Sequence, residues 1–297
     1  MATDLARRLH GELFLILECL DRSVSSEQTY FWMMAEDEDS SRTATADATA
    51  IESKSGDLNE IGIPVHRAHL TDQPVAPGIV EYAANNKIDL IVLETYRHRS
   101  LGRFVFGGIV GEIVRWSTCP VLTVRKQSSG SSEISFQRIL VPVDFSAHSI
   151  CTLRAAITLA GLYGASIQLI YVHEERPIPG FMISGSSGTT VVDTHENQEE
   201  RITDALRALF DKDGSESVPV SYHAKHGHVS KEVLDFSVGD ESDLIVISSH
   251  GLTDNPDFTL GSVAEKVVRR ARCPVLTLKA RHSPVLKPGG QSSSDSE

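Results

Sequence analysis

The chain has 297 residues, a net charge of −12, and a composition that is 40% hydrophobic and 23% charged. This is ordinary globular composition for about two domains, and the acidic balance argues against nonspecific binding to nucleic acid or to an anionic membrane. No apolar run approaches the roughly 20 residues that a membrane-spanning helix needs.

The N-terminal ATDLARRLHG reads as part of a helix and runs straight into the apolar ELFLILECL. Arginines before LFLIL imitate a secretory leader, but Glu12 and Glu18 bound the short apolar core and no small-residue cleavage site follows, so none is expected. The acidic EDEDSSRTATAD reads as a solvated loop. After IVEYAANNK come the apolar DLIVL, a helix ending WSTC, and PVLTV. Residues 126–133, KQSSGSSE, form a flexible linker. RILVPVD follows as a buried strand. A helix over 146–163 carries Leu153, Ala156, Leu159 and Leu162 on one face and stops at Gly164. Then come the strand SIQLIYV, an inserted loop at 181–190, a helix over 196–209, the strand VPVSYHA and a helix over 230–236. LIVI and PVLTL supply the last two strands, and the tail at 282–297 is read as disordered. Apolar strands alternating with helices specify a parallel sheet covered on both faces.

The chain is a duplication. Residues 89–125 lie over residues 243–279 without a gap, at an offset of 243 − 89 = 154. Asp89 matches Asp243, Phe104 matches Phe258, Gly107 matches Gly261, and the dipeptide Cys119-Pro120 matches Cys273-Pro274. Two apolar strands could arise twice by chance, but not CPVLT behind the same helix at the same distance. Cys19, Cys119, Cys151 and Cys273 show no CxxC spacing, so neither a zinc site nor a redox pair is expected. Reduced, buried thiols in a cytoplasmic protein are the favoured reading.

ILVPVDFSAHS, a helix, SIQLIYVHE, and then SSHG, nine residues and GSVAEKVVRRARCPVLTLK together resemble the universal stress protein family. In the first unit ARRLHGELFLIL, IVEYAANNKIDLIVL and VGEIVRWSTCPVLTVR resemble the same domain. The resemblance implies two tandem Rossmann-like domains of the adenine nucleotide alpha hydrolase-like type, at 1–127 and 134–281. It implies five parallel strands each, in the order 3-2-1-4-5. It also implies pairing of PVLTV with PVLTL across a pseudo-twofold, a pseudo-dimer within the chain, and a homodimer is expected beyond that.

Members of the nucleotide-binding branch carry Gly-x-x-Gly, nine residues, and Gly-Ser/Thr. Here Ser248, Gly251, Gly261 and Ser262 hold those positions, with serine for the first glycine. In open parallel sheets ligands sit beyond the carboxyl ends of the strands, so the loops after Asp144 and Ser248 should face one crevice. Gly251 leaves room for backbone N–H groups to approach a phosphate. Gly261 and Ser262 open a helix whose positive end favours an anion, and Ser262 reads as its N-cap, able also to donate to a terminal phosphate. By resemblance Pro142, Val143 and Asp144 contact the adenosine end and Val172 lines the base. Ile247, Ser248, Gly251, Gly261, Ser262 and Val263 complete the set. ATP with Mg2+ is the expected cofactor, because Asp254 and Asp257 oppose a triphosphate unless a cation lies between.

The first unit departs from the pattern. Arg97 stands where Gly251 stands, and Gly108 where Ser262 stands. Arg97, His98, Arg99 and Arg103 read as a solvated loop. The counterpart of Asp144 would fall at 144 − 154 = −10, so the unit lacks its first, central strand. Either the start is misplaced, or the sheet closes up, or another segment fills the gap; the first two are preferred. No nucleotide site is expected there. His223, His226 and His228 fit no standard metal spacing, and His250 has no visible catalytic partner. No catalytic residues and no metal ligands are assigned. The resulting expectation is a cytoplasmic, ATP-binding stress-response module with an unknown protein partner, at most a slow hydrolase. A scaffold of the same family that binds no nucleotide and an adenine-nucleotide enzyme of a related fold are the alternatives.

Overall fold

The structure is a computed structural model. It describes residues 2–17, 30–35, 63–69, 74–95, 109–125, 136–174, 195–213, 217–251 and 260–279. The linker, the acidic loop, the 181–190 insertion, the tail, the Arg97 cluster, Cys19, Asp254 and Asp257 lie outside them.

In the second half, β6 (Arg138–Pro142) leads through α4 (Ala147–Tyr163) to β7 (Ser166–His173). After α5 (His195–Asp213) come β8 (Val220–His226), α6 (Val229–Gly239), β9 (Leu244–Ser248), α7 (Ser262–Arg270) and β10 (Val275–Leu278). Ile139, Leu140 and Val141 are each 0% exposed, as a strand covered on both faces requires. α4 starts where the Ser146 hydroxyl accepts the Ser149 N–H and stops at Gly164, which takes the left-handed φ of 64°. The strands run parallel in the order β8-β7-β6-β9-β10, which is 3-2-1-4-5 in unit numbering.

The first half contains α1 (Ala2–Arg8), β1 (Glu12–Leu17), β2 (Tyr30–Ala35), β3 (Val65–His69), α2 (Val75–Asn85), β4 (Leu90–Thr95), α3 (Ile109–Trp116) and β5 (Val121–Arg125). Its order is β3-β1-β2-β4-β5. The expected gap is therefore filled, neither left open nor closed up. β2 occupies the place of the missing strand and runs antiparallel to both neighbours, with Leu17 opposite Tyr30 and Phe31 opposite Leu93. An all-parallel sheet thus holds for the second half and not the first. The physical cause is that β1 and β4 would otherwise present unpaired N–H and C=O groups. The aromatic-rich YFWMMA is well suited to a strand, and consecutive neighbours pair antiparallel without a crossover.

β5 and β10 join the halves into one ten-stranded sheet, pairing antiparallel with Leu122 opposite Leu276. Because 276 − 122 = 154, the pseudo-twofold passes through this pair. The equivalence extends to side chains. Arg125 Nη2 donates to the Arg269 carbonyl at 3.2 Å, and Lys279 Nζ donates to the Arg115 carbonyl at 2.6 Å. Each cation thus meets the negative end of the other half's helix, α7 or α3. On the far face Arg8 donates to the Leu162 carbonyl at 3.1 Å and lies 4.4 Å over the Tyr163 ring, whose hydroxyl donates to Asp4 at 2.9 Å.

The hydrophobic core divides by sheet face rather than by half. One cluster unites Leu5, Leu9, Leu13 and Leu122 with Ile139, Leu153, Leu206 and Leu276. The other unites Ile79, Ile91, Ile113 and Val121 with Val233, Ile245, Val267 and Val275. Among the described residues no helix is long and apolar enough to cross a membrane.

Cys119, Cys151 and Cys273 are free thiols. Burial pushes Cys119 and Cys273 up to about 11. At pH 8 they should carry roughly a hundredfold less thiolate than an exposed cysteine. Iodoacetamide should therefore label both slowly in the native protein and rapidly in urea, as read by mass mapping. Their folded pKa exceeds the reference value of 9.0, so the neutral thiols support folding fully below pH 9 and this contribution is lost as pH rises towards about 11.

Candidate functional site

The candidate site lies beyond the carboxyl ends of β6, β7 and β9. Leu140 pairs with Ile245 and Pro142 with Ile170, and the Val143 N–H donates to the Ile170 carbonyl at 2.9 Å. Continuing both registers sets Asp144 level with Val172 and Ser249. Val143, Val172 and Ile247 are 5%, 8% and 4% exposed; Val172 and Ile247 belong to the core at the base of the crevice, and Val143 to the core on the α4 face of the sheet. Pro142, Asp144, Ser248, Gly251, Gly261 and Val263 are half-buried, and Ser262 is exposed.

Asp144 is the centre of the arrangement. Its Oδ1 accepts the Ser146 N–H at 3.0 Å and the Ser146 hydroxyl. Its Oδ2 lies 2.6 Å from the place a Cβ on Gly251 would take. The group that approaches Gly251 is thus the Asp144 carboxylate, and Gly251 is needed for that approach rather than for a positive φ. Between Asp144 and Ser146, Phe145 takes a φ of 61°. For a residue with a Cβ this conformation costs about 1–2 kcal/mol.

The β9 loop is clasped from two sides. Ser249 is 0% exposed; its N–H donates to the Leu278 carbonyl and its own carbonyl accepts the Gly261 N–H, both at 2.7 Å. Its hydroxyl meets His250 Nδ1 at 2.9 Å, and the His250 ring lies 6.2 Å from that of His148. Ser248 ends β9 without a positive φ, so replacement of the family's first glycine brings no backbone strain. Gly261, with a φ of −58°, sits at the N-cap of α7, and a Cβ there would lie 3.0 Å from the Ser249 carbonyl. This corrects the capping role expected of Ser262, which is instead the first residue of the helix. Its hydroxyl is exposed beside first-turn amides that have no partner within the helix.

The site thus joins a carboxylate able to accept from hydroxyls or amines with a helix end able to receive an anion, about one loop apart. These donors and acceptors fit a nucleoside phosphate. The three histidines do not converge: the His223 ring lies 4.6 Å from that of Phe236, tilted by 56°, and burial pushes its pKa down from its ordinary value. His226 faces Glu199 at 3.7 Å, and His228 faces Glu174 at 3.3 Å from the N-cap of α6. Among the described residues no group of three or more His, Cys, Asp or Glu is placed to hold a metal ion. Sequence reasoning missed Phe145, Ser146 and Ser249. A serine at a helix start marks Ser146 as a cap, and Ser249 lies within SSHG, but their contacts with Asp144 and Leu278, and the dihedral angle of Phe145, leave no periodic or motif signal.

In the first half the equivalent place is taken by β2. Its reversed direction puts its amino end, Tyr30, beside the carboxyl ends of β1 and β4. Among the described residues no strand of the first half ends in a counterpart of Asp144.

The universal stress protein family model matches residues 1–125 and again 135–279. Over 151 residues, 50% of this chain and 85% of the relative, the chain is 31% identical to universal stress protein MJ0531 of Methanocaldococcus jannaschii. Over 213 residues, 72% of this chain and 68% of the relative, it is 25% identical to universal stress protein Mb2028c of Mycobacterium bovis. A solved structure of a putative universal stress protein from Pseudomonas aeruginosa shares the fold, with a TM-score of 0.57 and 19% identity over 76% of this chain and 75% of that one. The duplicated sequence, the paired final strands and the two successive matches agree: the chain belongs to the universal stress protein family, with two of its domains in tandem.

Proposed function

We propose that the second half binds one ATP per chain, with Mg2+, and that the protein serves as a stress-responsive regulatory module rather than an enzyme. The observation that carries this is the meeting of Asp144, Gly251 and the open end of α7 in one crevice. In this reading Pro142, Val143 and Asp144 meet the adenosine, with the carboxylate accepting from it, and Val172 and Ile247 wall the base. Ser248, Gly251, Gly261, Ser262 and Val263 receive the phosphates at the helix end. Asp254 and Asp257 make the affinity depend on the divalent cation. Turnover is at most slow, since no general base or arginine finger is assigned. The protein acts in the cytoplasm, pairs as a homodimer and passes its state to a protein partner.

The contact of the Asp144 carboxylate with Gly251 also favours a second reading, in which the crevice is closed and the protein is a scaffold that binds no nucleotide. Mass spectrometry of nucleotide released from purified protein separates the two, together with a heat-shift measurement in Mg-ATP. One nucleotide per chain, lost in Gly261→Glu, is the expected result. No released nucleotide and no heat shift would establish the scaffold.

A further inference from the structure

Among the described residues four non-glycine residues have a positive φ: His10, Lys87, Phe145 and Glu241. Three of them follow the ends of helices, where the left-handed conformation commonly closes the last turn. His10 follows α1, Lys87 follows α2 and Glu241 follows α6. Lys87 and Glu241 are equivalents, since 241 − 87 = 154. Phe145 is different. It precedes a helix, is a bulky aromatic, and is 38% exposed. No helix end requires its conformation, so the strain calls for another cause.

The surrounding geometry supplies one. The left-handed turn at Phe145 lies in the short passage, residues 143–146, that carries the chain from β6 into α4. It swings the Ser146 N–H and hydroxyl back onto Asp144 Oδ1, which leaves Oδ2 against Gly251. The Phe145 ring meanwhile packs on Tyr171, with centroids 5.3 Å apart. Tyr171 belongs to the core on the α4 side of the sheet, whereas Val172 belongs to the core on the other side. The ring contact therefore fastens the turn from the face opposite the crevice. Without the ring, residue 145 is free to relax, and Asp144 loses the two donors that aim it.

We propose that Phe145 is a positioning residue for ligand recognition: its strained backbone, held by Tyr171, aims the Asp144 carboxylate across the crevice. The consequence for affinity rests on the nucleotide reading above; the aiming of Asp144 does not. Glycine adopts the same φ freely but does not hold it. Phe145→Gly should therefore raise the Kd for Mg-ATP about tenfold, while its thermal midpoint stays within about 3 °C of the wild type, because relief of strain offsets the lost ring contact. Phe145→Tyr keeps the ring and should bind as the wild type does. Wild-type affinity in Phe145→Gly, or equal losses in Phe145→Gly and Phe145→Tyr, would overturn the proposal.

A second measurement needs no nucleotide. Asp144→Asn should lower the thermal midpoint in the wild type, and by less than half as much in the Phe145→Gly background. Additive losses would overturn the proposal even if the wild type binds no Mg-ATP at all, and a coupled cycle in that case would sustain it while the nucleotide reading falls.

Discussion

Leu276→Ala should lower the unfolding midpoint of the first half as much as that of the second. Leu276 is 3% exposed and stands opposite Leu122 on the pseudo-twofold, inside a core cluster drawn from both halves. Truncating a buried leucine costs about 2–5 kcal/mol, and incomplete collapse around the cavity sets the upper end. In a chain of this size that is a fall of roughly 5–15 °C. Both tryptophans, Trp32 and Trp116, lie in the first half, so their fluorescence reports on residues far in sequence from the substitution. The expected result is one transition, displaced equally by fluorescence and by far-ultraviolet circular dichroism. An unmoved tryptophan transition beside a displaced dichroism transition would mean that the halves unfold independently. The reason to expect coupling is that neither half owns a core: each sheet face carries one, and both cross the β5–β10 seam.

Gly251→Ala should weaken Mg-ATP binding about tenfold or more while leaving stability within about 1 kcal/mol of the wild type. The added methyl group would lie 2.6 Å from Asp144 Oδ2, and a carboxylate at the end of a side chain can turn aside. Folding survives this, but the carboxylate no longer faces the crevice. Gly261→Ala makes the contrast. Its methyl group would lie 3.0 Å from the Ser249 carbonyl, a backbone atom held by the clasp between the two loops, so the strain falls on the fold. About 1–3 kcal/mol of destabilisation is expected there. Urea midpoints and Mg-ATP titrations of the two variants decide the matter. Wild-type affinity in Gly251→Ala would show that Asp144 does not serve the ligand.

Much of this architecture is legible in the chain itself. The offset of 154 residues identifies the duplication, and the same offset relates Leu122 to Leu276, His10 to Gly164 and Arg115 to Arg269. Continuous apolar runs specify strands covered on both faces, and the spacing of Gly251, Gly261 and Ser262 marks the loop and helix that form one side of the crevice. These features are local or periodic, so a sequence records them directly.

Other features were decided only by tertiary structure. YFWMMA carries no mark that says which gap it fills; its place follows from the backbone groups that β1 and β4 would leave unpaired, and its reversed direction from its being next in the chain to β1. Gly251 reads as space for a phosphate, yet its neighbour is a carboxylate 251 − 144 = 107 residues away. Phe145 reads as one more aromatic after a strand, and only its dihedral angle sets it apart. Each of these outcomes depends on contacts between segments distant in sequence, which hydrogen-bond completeness and close packing select and which no local pattern encodes.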